Sequence, residues 1–155
     1  MALLFIIICI IVTSFVLWRG RILSVLENIA ILLFASIVTQ IVMNFISYNM
    51  QLIKTTKVLS LYLAHCLCQI ILLPLLVVLF FQYYSFLPTR FSRILSVLVI
   101  SFLLTGLEYI GDRGGVIVFR SFPVWGLLVY WVAVLLICLA FYKYYQNLLP
   151  GRGSE

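Results

Sequence analysis

Gln40, Asn44 and Tyr48 recur at spacing four inside one long apolar run, His65 and Gln69 repeat that spacing in the next, and Glu108 stands alone in a later one. Residues four apart share a helix face, so each series makes a polar stripe. Polar groups in hydrocarbon are costly and turn away from lipid toward one another. Side chains from three helices can then close interhelical hydrogen bonds, each worth about 1 kcal/mol or less. Alternatively they line a polar pocket, in which Glu108 pairs with Arg113 or shares a proton with His65. The candidate cluster is therefore Asn44, His65 and Glu108, with Gln40 and Gln69 flanking it.

Other chemistry finds little support. Cys9, Cys66, Cys68 and Cys138 all fall within apolar runs, and Cys66 and Cys68, two apart, point to nearly opposite sides of a helix. His65 and Cys68 share a face, but two ligands do not make the four that a zinc site shows at recognisable spacing. The reading is no metal and no cofactor, with the thiols as small buried hydrophobes. There is no Gly-rich phosphate loop, no paired histidines and no Gly-x-Ser-x-Gly elbow, so no enzyme is expected. "GDRGG" at 111–115 reads as turn chemistry, Gly and Asp supplying positive φ for a chain reversal.

The elements that must position these residues emerge from composition. Of 155 residues, 66% are hydrophobic and 9% charged, against about 45–50% and about 25% in soluble domains. Crossing a bilayer core takes about 20 apolar residues of helix. Five such runs lie between charged punctuation, at about 2–18, 26–50, 58–86, 94–111 and 122–145, with a short tail at 146–155. A β-barrel is excluded because "LLPLLVVLFF" is apolar on every face. The expected fold is one all-α polytopic membrane bundle of about five transmembrane helices. The first run lacks the basic start and small-residue cleavage site of a secretory signal and reads as a retained span. Pro74 is expected to kink the third, with neighbours satisfying the carbonyl it frees. In "RSFPVW", Ser121 and Pro123 read as the start of the last helix and Trp125 as an interfacial residue.

Basic residues fall in pairs between the runs. With the N-terminus outside and the C-terminus cytoplasmic, six face the cytoplasm and four the exterior, the asymmetry that multi-pass proteins show. Arg19, Arg21, Arg90 and Arg93 then serve as headgroup anchors, and the net charge of +6 calls for a lipid bilayer rather than nucleic acid. In this topology Asn44, His65 and Glu108 lie about 9, 10 and 5 Å from the outer ends of their helices, at 1.5 Å per residue. All three fall in the outer half.

The hexapeptide "RILSVL" occurs at Arg21 and again at Arg93, each time where a span is about to run outward. Beyond it "ENIAILLF" and "VISFLLTG" diverge, whereas a duplicated unit stays similar over a whole element. Chance in an apolar alphabet explains the repeat.

"MNFISYN", "LEYIG" followed by a short Gly-bearing loop, and a last span ending "FYKYY" resemble a family of small, uncharacterised multi-span membrane proteins of spore-forming Firmicutes. The resemblance implies no activity, cofactor or substrate. Two functional classes arise from the residues. The first is a non-enzymatic component that assembles with a membrane-protein partner or with its own copies. The second is a small transporter or ligand-binding sensor built on the outer polar cluster. The topology is testable by itself: a reporter fused after Gln146 should be active only in its cytoplasmic form, and exterior-type activity there would overturn the orientation.

Overall fold

The computed structural model describes residues 2–19, 23–46, 53–55, 58–114, 117–119 and 123–148. Within them the apolar runs become five helices: α1 (Ala2–Arg19), α2 (Val25–Asn44), α3 (Leu59–Tyr84), α4 (Arg90–Arg113) and α5 (Val124–Leu148). The chain is an all-α helical bundle. Helices α2 to α5 are each long and apolar enough to cross a membrane, which makes this a multi-pass membrane protein. The apolar part of α1, Leu3–Leu17, is shorter; at 1.5 Å per residue it reaches about 22 Å of a roughly 30 Å core.

Two short strands were not expected. Ile53–Thr55 (β1) and Ile117–Phe119 (β2) pair antiparallel, with Lys54 opposite Val118. They tie the α2–α3 connection to the α4–α5 connection and define one end of the bundle, the ribbon end. "GDRGG" also departs from expectation, because Asp112 lies inside α4 and Gly114 caps it with φ −77° and ψ −1°, a right-handed conformation. Neither residue supplies a positive φ, and Gly115 lies outside the described residues.

The two copies of "RILSVL" fold differently. In the first, Ser24 is an N-cap: its hydroxyl accepts from the Glu27 backbone N–H at 3.2 Å, while the Glu27 carboxylate accepts from the Ser24 N–H at 2.7 Å. This reciprocal box starts α2 at Val25. In the second copy Val99 stands where Glu27 would, and no box can form. There Thr89 caps instead, accepting from Ser92 N–H at 3.2 Å, so α4 begins at Arg90, and Ser96 lies within the helix bonded back to the Arg93 carbonyl. The second copy still lies at the start of its helix, Arg93 falling in the first turn of α4, but it does not supply the cap. The residue three places after the serine decides whether a helix starts there.

Pro74 has no N–H to give the Ile70 carbonyl four residues before it. The chain answers with a π turn over Cys68–Leu72, in which the Leu73 N–H reaches five residues back to the Cys68 carbonyl. Ser36 of α2 brings its hydroxyl to 2.8 Å from its own Leu32 carbonyl and 3.3 Å from that of Ile70. The expected kink is thus an inserted residue, with a neighbouring helix serving the carbonyl.

α3 sits centrally, packed by α1, α2 and more lightly by α4, while α5 packs against α2 and α4. Its core contribution is Leu73, Val77 and Phe81, facing Trp131 and Leu135 of α5 and Ala35 of α2 in one cluster. Phe34 of α2 stacks on Phe141 of α5 at 3.9 Å between centroids. Leu33, Ile37 and Ile41, opposite the buried face of α2, are exposed as lipid-facing residues should be.

Because capping separates the two hexapeptides, Ser24→Ala should lower stability by about 0.5–2 kcal/mol. Ser96→Ala should change it by less than about 0.5 kcal/mol. Unfolding in a mixed-detergent titration measures both, and equal losses would contradict the assignment.

Candidate functional site

Glu108 is 4% exposed on α4, and Trp131 of α5 is fully buried beside it. The indole N–H of Trp131 donates to Glu108 Oε2 at 3.3 Å. Tyr130 packs edge-on against Trp131, with centroids 4.9 Å apart, and so helps fix the donor. The second carboxylate oxygen, Oε1, is buried and has no hydrogen-bond partner among the described residues; the same holds for Thr105 Oγ1 and Tyr130 OH.

Glu108 also lines a cavity of about 180 Å³ between three helices. α1 contributes Phe5 and Ile6; α3 contributes His65, Cys68 and Gln69, with Leu72 and Leu73; α4 contributes Leu107, Ile110, Gly111 and Gly114 beside Glu108. The π turn over Cys68–Leu72 carries three of these residues, Cys68, Gln69 and Leu72. His65 is buried and Gln69 half-buried. The remaining wall is apolar, the usual pattern of a ligand site with a few placed polar groups.

The structure therefore brings His65, Gln69 and Glu108 to one cavity. It does not bring Asn44 or Gln40 there. The buried face of α2 is Glu27, Ile31, Ala35, Thr39 and Met43, at strict spacing four. Gln40 and Asn44 each come one residue after a member of that series, which turns them about 100° around the helix. Asn44 is accordingly exposed and Gln40 half-buried, and α2 packs on α3 and α5. Tyr48 lies outside the described residues.

Of the expected anchors, Arg21 lies outside the described residues and only the backbone of Arg19 is described. Arg90 is exposed. Arg93 is half-buried: its Nε donates to the Leu87 carbonyl at 2.9 Å and its guanidinium lies 5.5 Å from the Tyr84 ring centre. It closes the α3–α4 turn. Arg113 is drawn to its own helix, its Nη2 donating to Tyr109 OH at 2.9 Å. Among the described residues no group of three or more His, Cys, Asp or Glu side chains could hold a metal.

Sequence reading missed a second polar set at the opposite end. Gln82 Nε2 donates to Asn28 Oδ1 at 3.3 Å, and Asn28 Nδ2 to the Leu23 carbonyl at 3.3 Å. Ser85 and Tyr142 share a hydrogen bond at 3.1 Å, and Gln146 donates to the same Tyr142 hydroxyl. These bonds join α2 to α3 and α3 to α5. It also missed Trp131, which no spacing flags, and the run Ser101, Thr105, Glu108 at spacings four and three, which would have marked the buried face of α4.

Compared with protein-family models, curated proteins and solved structures, the chain matches none of them.

Trp131→Phe removes the indole donor from Glu108 and should cost about 1–3 kcal/mol, the penalty for unpairing a buried group. Glu108→Gln keeps a carbonyl for that donor and should cost less. Detergent unfolding ranks the two, and the reverse order would refute the bond as a structural tie.

Proposed function

We propose that this protein is a membrane-embedded binding protein, a small carrier or sensor, whose site is the cavity at Glu108. One observation carries the reading: Glu108 Oε1 is buried, has no hydrogen-bond partner among the described residues, and belongs to a side chain lining a cavity of about 180 Å³. A polar group kept only for helix packing is hydrogen-bonded, because an unmade bond in a dry interior is expensive. The set at the opposite end meets that description, with Gln82, Asn28, Ser85 and Tyr142 all engaged across helices. That set accounts for bundle cohesion. Glu108 invites something else.

In the orientation favoured by the basic residues, with the N-terminus outside, the ribbon end faces outward and the cavity lies in the outer half of the bilayer. Its size is informative: an engineered apolar cavity of about 150 Å³ takes a benzene. A ring-sized ligand fits. The reading of this chain as an assembly component, working with a partner or with its own copies, gains no comparable site from the described residues.

Trp131 reports on the site if Trp18 and Trp125 are replaced by Phe, since the chain has three tryptophans. In nanodiscs its emission should change saturably as benzyl alcohol is added. Gly111→Leu, which places a side chain in the cavity wall, should abolish the response. A response that survives this substitution, or none in the parent, overturns the proposal.

A further inference from the structure

Resting on the reading of the Glu108 cavity as a binding site, we propose that its occupant in the membrane is the acyl chain of a bilayer lipid, held between α1 and α4 against α3. The wall decides the class of ligand. The surface it exposes is almost wholly carbon, from Phe5 and Ile6 of α1, Leu72 of α3, and Leu107 and Ile110 of α4. Glu108 keeps one oxygen on the Trp131 indole and the other sealed within the bundle. A polar ligand entering this space would give up its own hydrogen bonds and gain none, which is costly. A hydrocarbon gives up nothing.

The fold puts such a ligand within reach. α1 and α4 both pack on α3, and neither is a principal neighbour of the other. Phe5 and Ile110, which flank the cavity on these two helices, are 63% and 67% exposed. In a multi-pass protein such side chains face lipid, so tails lie beside the cavity. Left unfilled, the space would forfeit dispersion contacts all along its lining, which has no partner atoms on that side. A tail restores them, and no hydrocarbon is more abundant in a membrane.

Size and depth narrow the occupant further. A cavity of about 150 Å³ takes a benzene, so about 180 Å³ accepts a short length of one tail and excludes a fused-ring body such as a sterol. Glu108 lies five residues before the end of α4, about 8 Å along the helix axis. The cavity is therefore near the ribbon end, at the level of the upper part of a tail and not of its methyl end at the midplane.

The test uses the full chain with Trp131 as its single tryptophan, in nanodiscs of phosphatidylcholine brominated on the upper part of its acyl chains. Bromine quenches indole emission only at close range. Trp131 is fully buried but bonded to a side chain of the cavity wall, so bromine reaches it by entering the cavity. Its emission should fall at least twofold relative to unbrominated nanodiscs, and less when the bromines sit at the methyl end. Gly111→Leu and Gly114→Leu, which fill the space, should each restore the emission. A companion chain with Trp125 alone, 71% exposed on α5, reports the surrounding lipid and should be quenched equally with and without either substitution. Quenching of Trp131 that survives both substitutions would place the contact outside the cavity and overturn the proposal. An unquenched Trp131 that still answers benzyl alcohol would overturn the lipid occupant and leave the binding site standing. Response to neither would remove the binding-site reading, and this inference with it.

Discussion

Hydrocarbon offers a buried polar group no water, so each N–H, C=O and side-chain head within the bundle must find its partner in the protein. Most of this structure obeys that constraint. α2 opens with a serine and a glutamate that satisfy each other's backbone. α3 passes Pro74 by widening into a π turn and taking a hydroxyl from α2. The two connections at the ribbon end pair with one another through a short ladder instead of leaving extended backbone unmatched. Side-chain chemistry in the middle of the bundle is therefore sparse, and each polar group found there is informative.

The two buried glutamates show how the same constraint yields a structural group in one place and a candidate ligand group in another. Glu27 is 1% exposed and Glu108 is 4% exposed, so burial does not separate them. Partnership does. Glu27 completes a capping box within its own helix. Glu108 spends one oxygen on a neighbouring helix, keeps the other buried without a partner among the described residues, and lines a cavity between three helices. Gly111 and Gly114, at the end of α4, line that cavity without side chains to fill it.

The helices were legible in the sequence because membrane thickness fixes their length, and all five apolar runs fold as helices near the expected places. Boundaries moved where local capping overruled hydropathy: Thr89 starts α4 four residues before the apolar run does. The β ribbon was not legible, since three-residue strands have no pattern of their own and arise from the proximity of two loops. Glu108, His65 and Gln69 were found because polar residues in apolar runs stand out. Asn44 and Gln40 were grouped with them on spacing and depth alone, and neither reveals which way a helix is turned. The burial of Ile31, Ala35, Thr39 and Met43 sets that rotation, and it depends on the packing of α2 against α3 and α5. Trp131 was invisible for a related reason: its role comes from the helix it faces.

Glu108 is a buried carboxyl whose side chain lines a cavity flanked by the exposed Phe5 and Ile110. The chain has four acidic residues, Glu27, Glu108, Asp112 and Glu155, so a reagent that seeks carboxyls from the lipid phase gives a simple readout. The most direct measurement is labelling of the membrane-embedded protein with diisopropylcarbodiimide, followed by mass mapping of the modified residue. Modification is expected at Glu108, with Glu27 spared by its capping box. Modification at Glu27 with Glu108 untouched would contradict it.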